Sequence, residues 1–180
     1  MKTPNELVLD CLERVRVRIW QNIDTTGTKA SGRTQESMWI ESTPTGGRLW
    51  GRPYFQSVET GRPAGRVPYN FVSIIKQWIV DKGLSIKQVA YKTSRPHKYT
   101  VEERSLNMAA GAIAHTIETT GTRLYKQGGR HDIYSDVIAE EVAELRKQLA
   151  VSVAETLSQT LIKDVRDYTK GDAAYQYVNR

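Results

Sequence analysis

The stretch that decides the fold runs from Glu59 to Gly83: Glu-Thr-Gly-Arg-Pro-Ala-Gly-Arg-Val-Pro-Tyr-Asn-Phe-Val-Ser-Ile-Ile-Lys-Gln-Trp-Ile-Val-Asp-Lys-Gly. Its two halves obey different physics. Gly61 to Pro68 cannot be regular structure. Gly61 and Gly65 permit positive φ, Pro63 and Pro68 fix φ and remove donors, and the residue before each proline is pushed to an extended conformation. The second half predicts a short amphipathic helix over 69–82. Phe71, Ile74, Ile75, Trp78 and Ile79 fall at i, i+3, i+4, i+7 and i+8, one face of a 3.6-residue period, and all five are expected in the core. Gly83 stands where a glycine should end that helix. A rigid basic loop therefore feeds a helix that must bury an aromatic-rich face. Glu59, beside the loop, is a candidate to pair with one of its arginines.

Working toward the N-terminus, residues 4–24 predict a helix, with Thr3 as N-cap and Pro4 at the first helical position. Val8, Cys11, Leu12, Val15, Ile19 and Ile23 make its apolar face; Glu13, Arg14, Arg16 and Arg18 lie opposite. Residues 28–36 read as a polar loop with room for one helical turn. Ser37–Thr43 alternates like a strand, Pro44–Gly47 signals a turn, and Arg48–Arg52 returns, which predicts a hairpin. Tyr54–Val58 fits either a third strand or a helical turn.

Toward the C-terminus, Leu84–Tyr99 is mixed. Thr100 with Glu103 matches a capping box and opens a helix whose apolar face is Leu106, Ala109, Ala110, Ile113, Ala114 and Ile117. Ile23-Asp-Thr-Thr-Gly-Thr-Lys29 echoes Ile117-Glu-Thr-Thr-Gly-Thr-Arg123, as two helix C-termini with the same stop chemistry would. Arg123–Arg130 reads as a basic, glycine-containing loop. From about Tyr134 to Val165 runs the longest helical pattern. There Leu145, Leu149, Val153, Leu157, Leu161 and Val165 recur every four residues. At about 100° per residue each step drifts by about 40°, so five steps drift about 200°. Either this helix is broken or its two ends are buried against different bodies, and the second option implies a partner subunit. The predicted class is α+β: a small antiparallel sheet packed with three to four helices, the last of them long. Residues 1–168 are expected to form one domain, and 169–180 a tail or docking arm carrying Tyr175 and Tyr177.

Composition narrows the function. The chain has 180 residues, enough for one domain that buries roughly 70% of its unfolded surface. Its single cysteine, Cys11, cannot form an internal disulfide and suits a buried helix face. One Cys and three scattered His (His97, His115, His131) make no metal cluster, and no cofactor is expected. His115 fits a structural role within its helix, and Glu140, Glu141 and Glu144 read as a solvated face. No phosphate loop, nucleophile elbow, zinc motif or dinucleotide fingerprint occurs. Neither a signal peptide nor a membrane-length apolar run is present, so a soluble cytosolic product is expected. The formal charge of +6 permits contact with nucleic acid or an acidic surface without requiring either. The one basic concentration is Arg48, Arg52, Arg62 and Arg66, which fits a solvated hairpin edge and loop, or contact with an acidic partner or a phosphate backbone.

The order of these features resembles a known family. Gly27, Ala30, Ser31, Gly32 and Arg33 follow the first helix; then come Tyr54, Phe55, Glu59, Gly61, Arg62, Pro63, Gly65 and Pro68; then Ile75, Trp78, Ile79, Lys82 and Gly83; then Gly121 and Thr122. The pattern, over roughly residues 5–165, is similar to the tail-completion and head–tail joining (neck) proteins of tailed bacteriophages, the family that includes minor tail proteins similar to lambda's protein Z. The resemblance implies an α+β virion protein without enzymatic activity, made in the host bacterial cytoplasm. It would form a homo-oligomeric ring between portal and tail, touching neighbouring portal, neck or tail proteins and lying near packaged DNA. The residues expected at protein contacts are Arg48, Arg52, Arg62 and Arg66 on the loops, Leu157, Leu161 and Val165 on the last helix, and Tyr175 and Tyr177 in the tail. The alternative is a basic domain contacting DNA phosphates.

Overall fold

The computed structural model describes residues 2–93 and 96–178, with side chains through residue 170. α1 spans Pro4–Thr25 and opens with the expected cap: the Thr3 hydroxyl accepts from the Glu6 amide, and the Glu6 carboxylate accepts from the Thr3 amide. A single turn, α2 (Arg33–Glu36), follows. Its Gln35 is buried and donates to the Trp20 carbonyl at 3.1 Å, while Trp20 Nε1 donates back to the Gln35 carbonyl at 3.1 Å. This reciprocal pair fastens the polar loop to α1.

The hairpin is antiparallel, β1 (Trp39–Thr43) with β2 (Gly46–Trp50), in the register Trp39 opposite Trp50 and Thr43 opposite Gly46. The turn is thus Pro44–Thr45 alone, and the return strand starts two residues earlier than the glycines suggested. At Gly47 a Cβ would sit 2.8 Å from Leu12 Cδ1 and 2.9 Å from Leu9 Cδ2, so the bare glycine lets the strand lie close on α1, and a side chain there would have to push these two leucine ends aside. Tyr54–Val58 is not a third strand. Pro53–Gln56 forms a 3-10 turn that runs into α3 (Ser57–Thr60). Proline at its first position removes a ladder donor and presets a helical φ.

α4 (Phe71–Asp81) ends as expected. Gly83, at φ 62°, donates to the Val80 carbonyl at 2.9 Å, and Leu84 donates to Ile79 at 3.1 Å, a Schellman closure. α5 (Val101–Thr120) carries the predicted capping box and stops at Gly121, φ 77°. The presumed loop after it contains one helical turn, α6 (Arg123–Lys126), capped by Thr122. The two echoing segments share their positive-φ glycine but diverge after it: Thr28 closes back on the Ile23 carbonyl, while Thr122 starts a new turn. α7 runs unbroken from Ser135 to Val178, about 66 Å at 1.5 Å per residue. The boundary expected at residue 168 falls inside this helix.

Two apolar cores result. The first joins Cys11, Val15, Ile19 and Ile23 of α1 with Met38, Ile133 and Val137. The second joins Phe71, Ile75 and Ile79 of α4 with Ala110 and Ala114 of α5. The Glu59–Pro68 segment passes from one to the other.

Candidate interaction surfaces

Glu59 holds the junction between the two cores. It is 1% exposed. Its Oε1 accepts from the backbone amides of Ile133 (2.9 Å), Tyr134 (2.5 Å) and Ser135 (2.9 Å), and its Oε2 accepts from the Ser135 hydroxyl (2.5 Å). The expected arginine partner is therefore replaced by the start of α7. A helix N-terminus presents unpaired amides and a positive dipole end, and a carboxylate there satisfies both. Burying this carboxylate is possible because both of its oxygens accept hydrogen bonds, three at Oε1 and one at Oε2. Burial of Tyr134 lifts its hydroxyl above the ordinary pKa, and the nearby Glu59 carboxylate adds to the rise. Next to it, the Glu59 carbonyl accepts from the Arg130 amide at 2.9 Å.

The loop that follows is locked by backbone contacts. The Arg62 amide donates to Thr122 Oγ1 and the Thr122 amide to the Arg62 carbonyl, both at 2.9 Å, and Gly65 donates to the Glu118 carbonyl at 2.8 Å. Gly61 is at φ 69°, and a Cβ there would lie 2.6 Å from Thr122 Oγ1 and 2.9 Å from Tyr125 Cα. Position 61 thus needs glycine for both conformation and space.

The four arginines do not act as one group. Arg62 turns inward: its guanidinium lies 5.2 Å over the Phe71 ring, and Nη2 donates to the Arg66 carbonyl at 2.8 Å. Arg66 stays exposed at the loop's edge. Arg48 lies opposite Glu41 in the hairpin, and Arg52 stacks over Tyr54 at 5.9 Å. Among the described residues, no hydrogen bond or ring contact links the hairpin pair to the loop pair. The structure does bring the two motif stretches together. The Thr28–Gln35 loop, Tyr54, Arg62 and Phe71 surround a cavity of about 390 Å³.

The solvated face expected at Glu140, Glu141 and Glu144 holds for Glu140 and Glu144 but not for Glu141. Glu141 is only 8% exposed; its carboxylate accepts from Arg14 Nε at 2.7 Å and Arg18 Nη1 at 3.0 Å. These bonds hold its carboxyl below the ordinary carboxylate range, the Arg14 bond most strongly, against the opposing effect of burial. The signal was its spacing: Glu141 lies four residues from both Val137 and Leu145, on the apolar row. On the hairpin's outer face Trp39 and Trp50 stack at 6.0 Å, both exposed, with Trp50 Nε1 donating to Glu41 at 2.8 Å. Strand alternation puts Trp39 and Glu41 on the same side of β1.

The distal half of α7 is unpartnered along its described length. α1 and α7 pack antiparallel: Asn22 meets the Asp132 and Ile133 carbonyls, and Cys11 Sγ meets the Glu141 carbonyl. Since α1 begins at Pro4, it runs out near Ser152, the last buried residue of α7. Residues 153–170 are all exposed, a length of about 27 Å. Setting Leu157 at 0°, Leu161 falls at about 40°, Val165 at about 80° and Tyr168 at about 20°. Val137, Glu141, Leu145 and Ser152, which face the body, lie at about 160° to 240°. The distal apolar stripe therefore points away from the body. Leu157, Leu161 and Val165 are 58%, 63% and 62% exposed. The side chains of Tyr175 and Tyr177 lie outside the described residues.

A second apolar surface flanks α4. Phe71, Ile75 and Ile79 are buried as expected, but Ile74 is 45% exposed and Trp78 38%. On the helix wheel the buried three span about 0° to 80°, while Ile74 and Trp78 lie at about −60° and −20°. α5 covers only the first half of the stripe. The uncovered half forms an open groove of about 820 Å³ with Ile113, Ile117 and Leu124.

Among the described residues, no cluster of three His, Cys, Asp or Glu side chains has a metal-binding arrangement, and no helix is long and apolar enough to cross a membrane. No protein-family model, curated protein or solved structure matches the chain.

Proposed function

We infer that the chain is a structural assembly subunit, without catalytic activity, that forms a ring in the neck of a tailed bacteriophage between portal and tail. The observation that carries this reading is the distal half of α7. A long helix that leaves its body and displays leucines and valines on its outward face is unsuited to an isolated chain, because exposed apolar patches of that extent mark association sites. The resemblance over Glu59–Gly83 supplies the setting. The junction built by Glu59 supplies rigidity: the loop, α6 and the start of α7 are fixed to one another, so α7 leaves the body in a defined direction. A ring needs that direction, since the angle between subunits decides whether the assembly closes. Contact with DNA phosphates is less well supported, because Arg62 is engaged inside the loop and α4 spends its face on a core.

The test is electron microscopy of virions. Neck or tail-junction density that accommodates repeated copies of α1, the hairpin and the projecting α7 supports the reading. Complete virions with no density for the chain would sink it.

A further inference from the structure

We propose that the distal half of α7 docks into the α4–α5 groove of a second copy of the chain, so that each subunit gives a helix and receives one. This rests on the reading that the chain assembles with itself, and it names the surfaces that do so.

Both surfaces are apolar and unpartnered in one chain. The groove is open and lined by Ile74, Trp78, Ile113, Ile117 and Leu124. Its uncovered strip belongs to a helix whose other half is core. The helix presents Leu157, Leu161, Val165 and Tyr168 at i, i+4, i+8 and i+11, the anchor spacing of an amphipathic helix laid in a groove. A chain cannot fill its own groove, because residues 153–170 project beyond the end of α1 and remain exposed.

Charge selects the same pairing. The groove's lip carries Arg123 and Lys126, both exposed, and no carboxylate lies within ion-pair distance of either among the described residues. On α7, Asp164 borders the apolar stripe at about −20° from Leu157, and Asp167 lies further round on the same side at about −80°. Lys163, Arg166 and Lys170 fall about 120° or more from Leu157, on the side turned away. A helix seated by its leucines thus brings acids to a basic lip and leaves its own bases in water. Such complementary rims fix register and disfavour wrong partners. The contact is head-to-tail, so repetition yields a ring or an open helix according to the angle between copies.

The experiment uses the full chain and reads mass by light scattering over a concentration series. The groove variant is Ile74→Asp; the helix variant is Leu161→Asp with Val165→Asp. All three positions are exposed, and thermal unfolding checks that each variant folds. Wild type is expected to be oligomeric. Each variant alone is expected to be monomeric, or to assemble at least about tenfold more weakly, the effect of losing 1.4 kcal/mol or more. Mixed one to one, the two variants are expected to form a dimer, since only one intact groove can meet one intact helix. A second set reverses charge: Arg123→Glu with Lys126→Glu, and Asp164→Lys with Asp167→Lys, each weakening assembly and restoring it when combined in one chain. Oligomers unaffected by these substitutions would overturn the docking while leaving self-assembly in place. A wild type monomeric throughout the series would also overturn it. Virion imaging judges the neck function separately.

Discussion

At the scale of single residues, two buried carboxylates hold the molecule together, and each makes a measurable demand. Replacing Glu59 with alanine would leave the amides of Ile133, Tyr134 and Ser135 without their acceptor inside the fold. Each stranded donor costs about 1–3 kcal/mol. Glu59→Ala is therefore expected to lose about 3 kcal/mol or more in urea unfolding, and a loss below about 1 kcal/mol would mean that the α7 start is capped another way. Glu141 makes its demand through pH. Its folded pKa lies below its ordinary value, so the folded state binds its proton more weakly than the unfolded state does. The stability it contributes is fully present above the ordinary carboxylate range and is lost as pH falls through the depressed folded value. Glu141→Gln is expected to flatten the acid limb of stability against pH below about 4.5, measured by denaturant midpoints. Glu59 was conspicuous in the sequence, beside a locked loop, but its donors lie 74 to 76 positions along the chain and are backbone groups, which leave no mark on composition. Glu141 was legible in principle from its place between Val137 and Leu145. Its partners Arg14 and Arg18 were not, because the pairing depends on α1 and α7 lying antiparallel.

At the scale of elements, periodicity found the long helices and the hairpin, and capping chemistry placed the start of α1, the end of α4 and both ends of α5, but not the end of α7, which runs past the expected Val165 to Val178. What it could not supply was which part of a stripe is covered. α4 has five apolar residues on one face, yet α5 reaches only three of them. Ile79→Ala should therefore cost about 2–5 kcal/mol by leaving a cavity, whereas Ile74→Ala, at a half-exposed site, should cost under about 1 kcal/mol. Chemical unfolding of the two variants separates them, and equal losses would show that the groove is filled in the isolated chain. The Tyr54–Val58 segment stayed ambiguous for a related reason. Five residues with mixed polarity satisfy both periods, and only the packing of Phe55 and Val58 on the first core settles the helical turn. Gly47 shows the converse: a glycine that read as a turn residue is instead the point where a strand touches a helix.

At the scale of the whole molecule, the chain is two small cores joined by the Glu59–Pro68 segment, with a helix projecting from the first core and a groove open beside the second. The drift of the α7 stripe, computed from the sequence at about 200°, appears as two faces: one packed on α1 and one turned outward. The groove had no counterpart in the sequence reading, because it exists only where α5 fails to cover α4. Together these surfaces leave two apolar faces uncovered in one chain, and the proposed assembly of identical copies would cover both. The most direct measurement is the mass of the equimolar mixture of the Ile74→Asp variant with the Leu161→Asp, Val165→Asp variant. The account predicts a dimer from two chains that are each monomeric alone; a mixture that stays monomeric, or variants that each assemble as the wild type does, would contradict it.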